Sequence, residues 1–287
     1  MMDDYIFKPL DLTTPGIEQI AGLLDAVFGT AAKFTPEFVD WEYNRNPTGH
    51  AVGFNAWAGN ELAAHYVTQP LIANLNGKMT KGLLSLNTAT HSNHRGKKLF
   101  TLLAEKTYAY GLELGYEFVI GVANANSTPG FLKNLGFSLI APLDVKFGIG
   151  LPDVHFETSY EYLRHWDKAL LEWRLNSPKL KYEVVVKKDH FIVLASTGKF
   201  GIKAILGSFP LEMLPEKAMY ISGSGIQPVR IWMGLDEQLS WKRKMFFQFP
   251  NKLKPSPLNL IFRNLTKSDG LPEVSQIKFM SLDFDAY

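Results

Sequence analysis

Asn93-His94-Arg95-Gly96-Lys97-Lys98-Leu99-Phe100 is the stretch on which the fold turns, because the sequence pattern changes across it. Before it lie three strand-like runs, residues 51–58, 61–70 and 78–90. Gly59-Asn60 and Asn76-Gly77 separate them, and both dipeptides are tight-turn signals. The three runs read as an antiparallel meander. After it, Leu99, Leu102, Leu103, Tyr110 and Leu114 recur on one helical face until Gly115 stops the helix. Residues 117–122 then form a fully apolar strand. A strand, a helix and a second strand in that order over 78–122 predict a parallel pair.

The stretch itself opens a helix. A helix N-terminus presents unpaired amide donors and a partial positive charge, which suits a phosphate or pyrophosphate. Arg95, Lys97 and Lys98 add cationic charge; a solvated basic turn is the alternative reading. No Gly-Lys-Ser/Thr is present for a P-loop. A single glycine behind antiparallel strands does not make a dinucleotide fingerprint.

Toward the N-terminus, residues 5–11 read as a strand. Thr14-Pro15 starts a helix whose apolar face (Ile17, Ile20, Ala21, Leu24) runs to Gly29. A second helix over Pro36–Asn44 carries Phe38 and Trp41 on one face. Toward the C-terminus, a short helix spans 126–135, Gly136 ends it, and a strand lies within 137–148. Trp41-Glu42-Tyr43-Asn44-Arg45-Asn46-Pro47 is then echoed by Trp173-Arg174-Leu175-Asn176-Ser177-Pro178. Each is followed by a strand, a polar turn and a strand, at 182–186 and 190–197 in the second case. The echo predicts a tandem duplication, with domains at 1–150 and 151–287.

The composition fits two cores: 287 residues, 46% hydrophobic and 20% charged, with 20 Phe, 11 Tyr and 6 Trp. The net charge of +2 gives no bulk attraction for nucleic acid. No cysteine is present, which excludes disulfides, Cys-ligated zinc and a cysteine nucleophile. No apolar run reaches membrane-spanning length, and the acidic opening is unlike a signal peptide. A cytoplasmic protein is expected, with no membrane, nucleic-acid or metal partner.

The order of elements, with Asn93–Leu99 and then Asn126-Ser127 and Phe131–Phe137, resembles the GNAT superfamily of acyl-CoA N-acyltransferases over residues 5–148. That likeness implies an α+β fold, a mixed and mostly antiparallel sheet flanked by helices. It implies acetyl-CoA as co-substrate and direct acyl transfer to a primary amine of a small molecule, such as an amino sugar or amino acid derivative. A non-catalytic CoA-binding protein is the alternative. The 151–287 half, which lacks the basic loop, would be a degenerate copy that walls the acceptor cleft or mediates a homodimer. The family's loop pattern is Arg/Gln-x-x-Gly-x-Gly/Ala; aligned on Arg95, its small positions fall on Lys98 and Phe100. A tyrosine common in the closing helix is replaced by Leu132, beside Phe131.

On this resemblance the cofactor-binding residues are Leu86, Asn87 and Thr88 on one strand, His94, Arg95, Gly96, Lys97, Lys98, Leu99 and Phe100 in the loop, and Asn124 and Asn126 beyond the second strand. Asn126 could equally cap its helix. Candidates for the general base are His65 and His91, together with the terminal carboxylate of Tyr287 should the tail reach the cleft, and Asn87 could position a water in that step. Asp40 and Glu42 read as a solvated helix face, and Trp41 and Trp173 as core anchors.

Overall fold

The computed structural model describes residues 4–32, 34–156, 159–199, 201–216, 229–241, 245–249, 257–266 and 270–284. In chain order the first elements are β1 (Ile6–Pro9), α1 (Thr14–Phe28), α2 (Pro36–Asn44), β2 (Val52–Ala58), β3 (Glu61–Leu75), β4 (Lys78–Thr90), α3 (Leu99–Glu113), β5 (Phe118–Ala123) and α4 (Thr128–Asn134). There follow β6 (Ser138–Pro142), β7 (Asp144–Ile149), β8 (Asp153–Val154), β9 (Tyr162–Arg164), α5 (Lys168–Leu175), β10 (Tyr182–Val186), β11 (His190–Ser196) and β12 (Ile202–Pro210). The last are β13 (Val229–Leu235), β14 (Leu239–Ser240), β15 (Met245–Gln248), β16 (Asn259–Asn264) and β17 (Ile277–Met280).

The chain forms two compact units, and they do not part at a single point. Residues 261–269 belong with the first unit, and residues 73–79 with the second. The reason is a distant pairing. β16 is hydrogen-bonded next to β5, and Leu260, Ile261 and Phe262 are buried there, so a late strand completes the early sheet. A cut at residue 150 overlooks this exchange.

In the first unit the meander has the expected form. Asn55 opposes His65 in the antiparallel β2–β3 pair, and β1 adds to β2. β4 and β5 run parallel, in register from Gly82–Phe118 to Ser85–Gly121. Gly82 is required here: a Cβ would lie 2.2 Å from the Phe118 ring, which stacks on Phe262 at 5.2 Å. Pro36 begins α2, and the Thr35 hydroxyl accepts the Phe38 N–H at 3.2 Å as its cap. One apolar cluster joins α1 and α2 through Ile20, Leu24, Val39 and Tyr43 to Val67. Another joins Leu103, Ala104 and Tyr108 of α3 to Ala56, Ala64 and Val119. Trp41 is buried, as is Trp173 in the second unit.

In the second unit α5 precedes an antiparallel meander, β10-β11-β12, and β13 then pairs parallel to β12. β7 pairs antiparallel to β13, and β15 to β7. The single strand expected over 137–148 is therefore two, broken at Leu143, whose N–H donates to the Leu258 carbonyl at 2.8 Å. The segment around Asp283 is anchored here. Asp283 is buried; its carboxylate accepts the Trp166 indole N–H at 3.0 Å and the Met280 amide at 2.6 Å. Buried Arg164 donates to the Asp283 carbonyl at 2.8 Å.

Candidate functional site

The parallel pairing of β4 with β5 stops at Ser85–Gly121. Beyond it a cleft of about 430 Å³ opens in the first unit. Ser85, Leu86, Asn87 and Thr88 line one side, Val122, Asn124 and Asn126 the other, and Phe28, Phe100, Ser127, Gly130 and Phe131 complete it. The sequence-selected residues of both strands thus meet around one space. Strands that stop pairing leave unpaired main-chain donors and acceptors along the gap, able to bind an extended ligand as a strand would.

Asn87 makes the opening. Its φ is +43°, a left-handed conformation that asparagine tolerates better than most residues. Its amide nitrogen donates to Glu42 Oε2 and, at 3.4 Å, to the Tyr43 hydroxyl. Glu42 is only 2% exposed, contrary to the solvated face read from the sequence. Glu42 and Tyr43 hold Asn87 from behind the wall. Sequence reasoning overlooked this pairing because Asn87 lies 45 residues away from Glu42.

The loop expected to bind an anion is built from backbone. Gly96 has φ +77° and Lys98 φ +59°, and no side chain caps α3 at Lys98. Left-handed residues ahead of an uncapped helix N-terminus turn successive N–H groups toward one point, a concavity suited to anions. Arg95, Lys97 and Lys98 are exposed around it. Lys98, the first small position when the pattern is aligned on Arg95, thus adopts a left-handed φ as a glycine would. The Phe100 ring turns inward, edge-on to Tyr66 and Phe131, rather than crowding the loop. Leu99 is buried and offers the loop its amide alone.

The other candidates separate. His65 is fully buried, off the cleft wall. It bonds to Asn55 Oδ1 at 2.7 Å and the Tyr43 hydroxyl at 3.0 Å, and burial pushes its pKa down to about 3. Burial likewise raises the Tyr43 phenol, helped by the Glu42 charge. His65 is thus neutral and enclosed, with no path to an acceptor amine. His91 and His94 stand together with Glu61, and neither lines the cleft. Asn126 does not cap the closing helix, whose cap position Ser127 makes no side-chain cap hydrogen bond; Asn124 holds the turn before it, its Oδ1 accepting the amides of Asn126 and Ser127, each at 3.0 Å. Tyr287 lies outside the described residues.

Ser85 was also missed. Its hydroxyl, on the cleft wall, bonds to Tyr66 at 2.7 Å, and Tyr66 bonds to Tyr108. Burial raises Tyr66 to about 12, so the chain stays protonated near neutral pH. Nothing in the local sequence pairs these three hydroxyls. A larger cavity, about 640 Å³, lies in the second unit and includes Trp232, Trp241 and Asp236 in its walls. It has none of the loop or strand geometry described above.

A mixed sheet with a parting parallel pair and a backbone anion loop at the following helix defines the acyl-CoA N-acyltransferase class of fold. Residues 11–140 match the family described as Acetyltransferase (GNAT) domain, and this segment of the chain is a GNAT domain. Similar solved structures share the fold at low identity. A probable N-acyltransferase of unknown function from Enterococcus faecalis V583 aligns over 91% of this chain and 73% of its own, with 11% identity and a TM-score of 0.61. A GCN5-related N-acetyltransferase from Kribbella flavida aligns over 92% and 72%, with 11% identity and a TM-score of 0.60. Saccharomyces cerevisiae N-myristoyltransferase with bound myristoyl-CoA aligns over 91% and 83%, with 12% identity and a TM-score of 0.59. No curated protein matches the sequence.

Proposed function

We propose that the first unit transfers an acyl group, acetyl as the leading candidate, from acyl-CoA directly to a primary amine of a small molecule. The parting of β4 and β5 beyond Ser85–Gly121, next to the uncapped N-terminus of α3, carries this reading. Gly96, Lys97, Lys98, Leu99 and Phe100 amides, with Arg95 and Lys97 around them, hold the pyrophosphate. The main chain of Leu86, Asn87 and Thr88 receives the pantetheine amides. Bound acyl-CoA supplies the acyl group already activated as a thioester.

The chain's own part is positioning and charge stabilisation. A backbone N–H of residues 86–88 donates to the developing oxyanion. Ser85, backed by Tyr66 and Tyr108, donates a hydrogen bond toward the leaving sulfur, where α4 offers only Phe131 and Leu132. Among the described residues, no His, Asp or Glu lines the cleft. The acceptor amine therefore loses its proton to water, and turnover rises with pH until the amine itself is neutral. The order α5, β10-β11-β12 and parallel β13 repeats that of α2, β2-β3-β4 and β5, which supports a duplicated, degenerate second copy. In place of the basic loop it has Pro210-Leu211-Glu212-Met213-Leu214-Pro215. This copy is proposed to serve the acceptor or a homodimer, in a cytoplasmic protein.

Calorimetric titration of acetyl-CoA into wild type and Arg95→Glu, followed by turnover with a panel of amines, tests the reading. Micromolar binding weakened by Arg95→Glu, with turnover of one amine, is expected. Binding without turnover of any amine would favour the non-catalytic alternative, for which the absence of a hydroxyl at Phe131 and Leu132 speaks. No binding of any acyl-CoA would overturn both.

A further inference from the structure

Glu61, His91 and His94 bring three metal-competent atoms within 4.8 Å of one another, from the start of β3 and from the turn that follows β4. We propose that they form a binding site for a divalent transition-metal ion of the zinc class, a site the sequence reading did not anticipate.

The distances favour coordination over ion pairing. His91 Nδ1 stands 3.5 Å from Glu61 Oε1, and His94 Nε2 stands 3.4 Å from Glu61 Oε2. A charge-assisted N–H···O⁻ bond closes to about 2.7–2.9 Å. Two ligand atoms, each about 2.05 Å from a tetrahedral zinc, stand about 3.3 Å apart. The observed spacings, one to each carboxylate oxygen, lie near the second value and well above the first; since one oxygen and both nitrogens span up to 4.8 Å, the exposed Glu61 carboxylate would turn one oxygen inward to complete the set.

Proton placement agrees. The Asn93 amide N–H approaches His91 Nδ1 at a long 3.4 Å, so that nitrogen carries its one lone pair, which would turn from the amide to a bound cation. It faces a carboxylate oxygen that also carries lone pairs, and a cation between them relieves the repulsion. His94 Nε2 is buried without a hydrogen-bond partner. The other nitrogen of the same ring, Nδ1, is bonded to the Tyr5 hydroxyl at 2.7 Å. With Nδ1–H donating to Tyr5, Nε2 presents its lone pair to the site. Such an outer hydrogen bond fixes the tautomer and ring orientation of a metal-bound histidine. Two imidazoles and one carboxylate suit zinc, nickel, copper or cobalt rather than magnesium or calcium, and leave a fourth position for water or an anion.

The test uses tag-free, full-length protein dialysed against chelator. Cobalt(II) is titrated in and its visible ligand-field bands are recorded, and zinc(II) is then used to displace it. Wild type should develop the intense bands of tetrahedral cobalt at one equivalent, and zinc should remove them. Glu61→Gln and His91→Gln should each weaken cobalt binding at least tenfold with circular dichroism unchanged. Tyr5→Phe, which removes no ligand, should weaken it about tenfold through His94. Absence of the bands in folded wild type, or equal binding by folded Glu61→Gln and His91→Gln, would overturn the site. Neither readout depends on acyl transfer.

Discussion

His65 makes the first unit sensitive to acid. Its ring is fully enclosed between Asn55 and Tyr43 and is held neutral, with a pKa near 3 against 6.5 for a free imidazole. Asn55 Oδ1 can only accept, so Nδ1 carries the proton, and Nε2 accepts from Tyr43. A second proton would have to reverse the Tyr43 bond and would place a positive charge in a fully buried site. The unfolded chain takes up that proton as pH falls below about 6.5, while the folded chain resists it down to about 3. Stability from this group is therefore complete above pH 6.5 and drains away as pH drops toward 3. By linkage the loss between pH 7.5 and 5 is about 2 kcal/mol, rising to about 5 kcal/mol below pH 3. Urea denaturation followed by tryptophan fluorescence, at half-unit steps from pH 8 to 5, measures it. His65→Gln lowers stability overall but removes this pH dependence, so its curve should be flatter than wild type by about 2 kcal/mol across the range. If the two proteins lose stability in parallel, within about 0.5 kcal/mol, the enclosed neutral imidazole is refuted.

Three further outcomes are expected. Gly82→Ala should cost about 1–3 kcal/mol in a urea melt, because its methyl group meets the Phe118 ring held against Phe262; a neutral result would show that the ring can move. Asp283→Ala should cost about 3–5 kcal/mol, since it strips buried Arg164 of its countercharge and leaves the Trp166 N–H unpaired. A loss under about 1 kcal/mol would mean that Asp283 is not ionised in the fold, in keeping with the upward push burial exerts on its carboxyl. Lys98→Gly should raise stability by up to about 1 kcal/mol by relieving the left-handed backbone at φ +59°. It should weaken acetyl-CoA binding less than Arg95→Glu, as the loop amides remain; calorimetry decides.

Much of the first unit was legible because its signals are local. Turn dipeptides fixed the meander, with α2 at Pro36–Asn44 and β4 at Lys78–Thr90 as expected. The 3.6-residue period located α3. The parallel pairing of β4 and β5 followed from the helix between them. What escaped depends on contacts distant in sequence. β16 joins β5 from more than 130 residues away, and no pattern in either strand records it. Glu42 reads as a solvent-facing carboxylate until Asn87 folds onto it. His65 reads as a base on an accessible strand, yet Tyr43 and Asn55 close over both of its nitrogens. The conformation of Lys98 was hidden for another reason: sequence shows which residues are small, whereas the loop selects for the sign of φ, and Lys98 accepts that sign despite its size.

The gap where β4 and β5 part has a consequence for how such a chain can diverge. A ligand held there meets peptide groups, and every residue type except proline supplies the same peptide group. Side chains along the gap are then free to drift so long as the backbone keeps its course. Alanine substitutions at Leu86 or Thr88 should look nearly silent, whereas a proline at either should not. Sequence identity of 9–13% with structures of the same fold is the expected residue of that freedom.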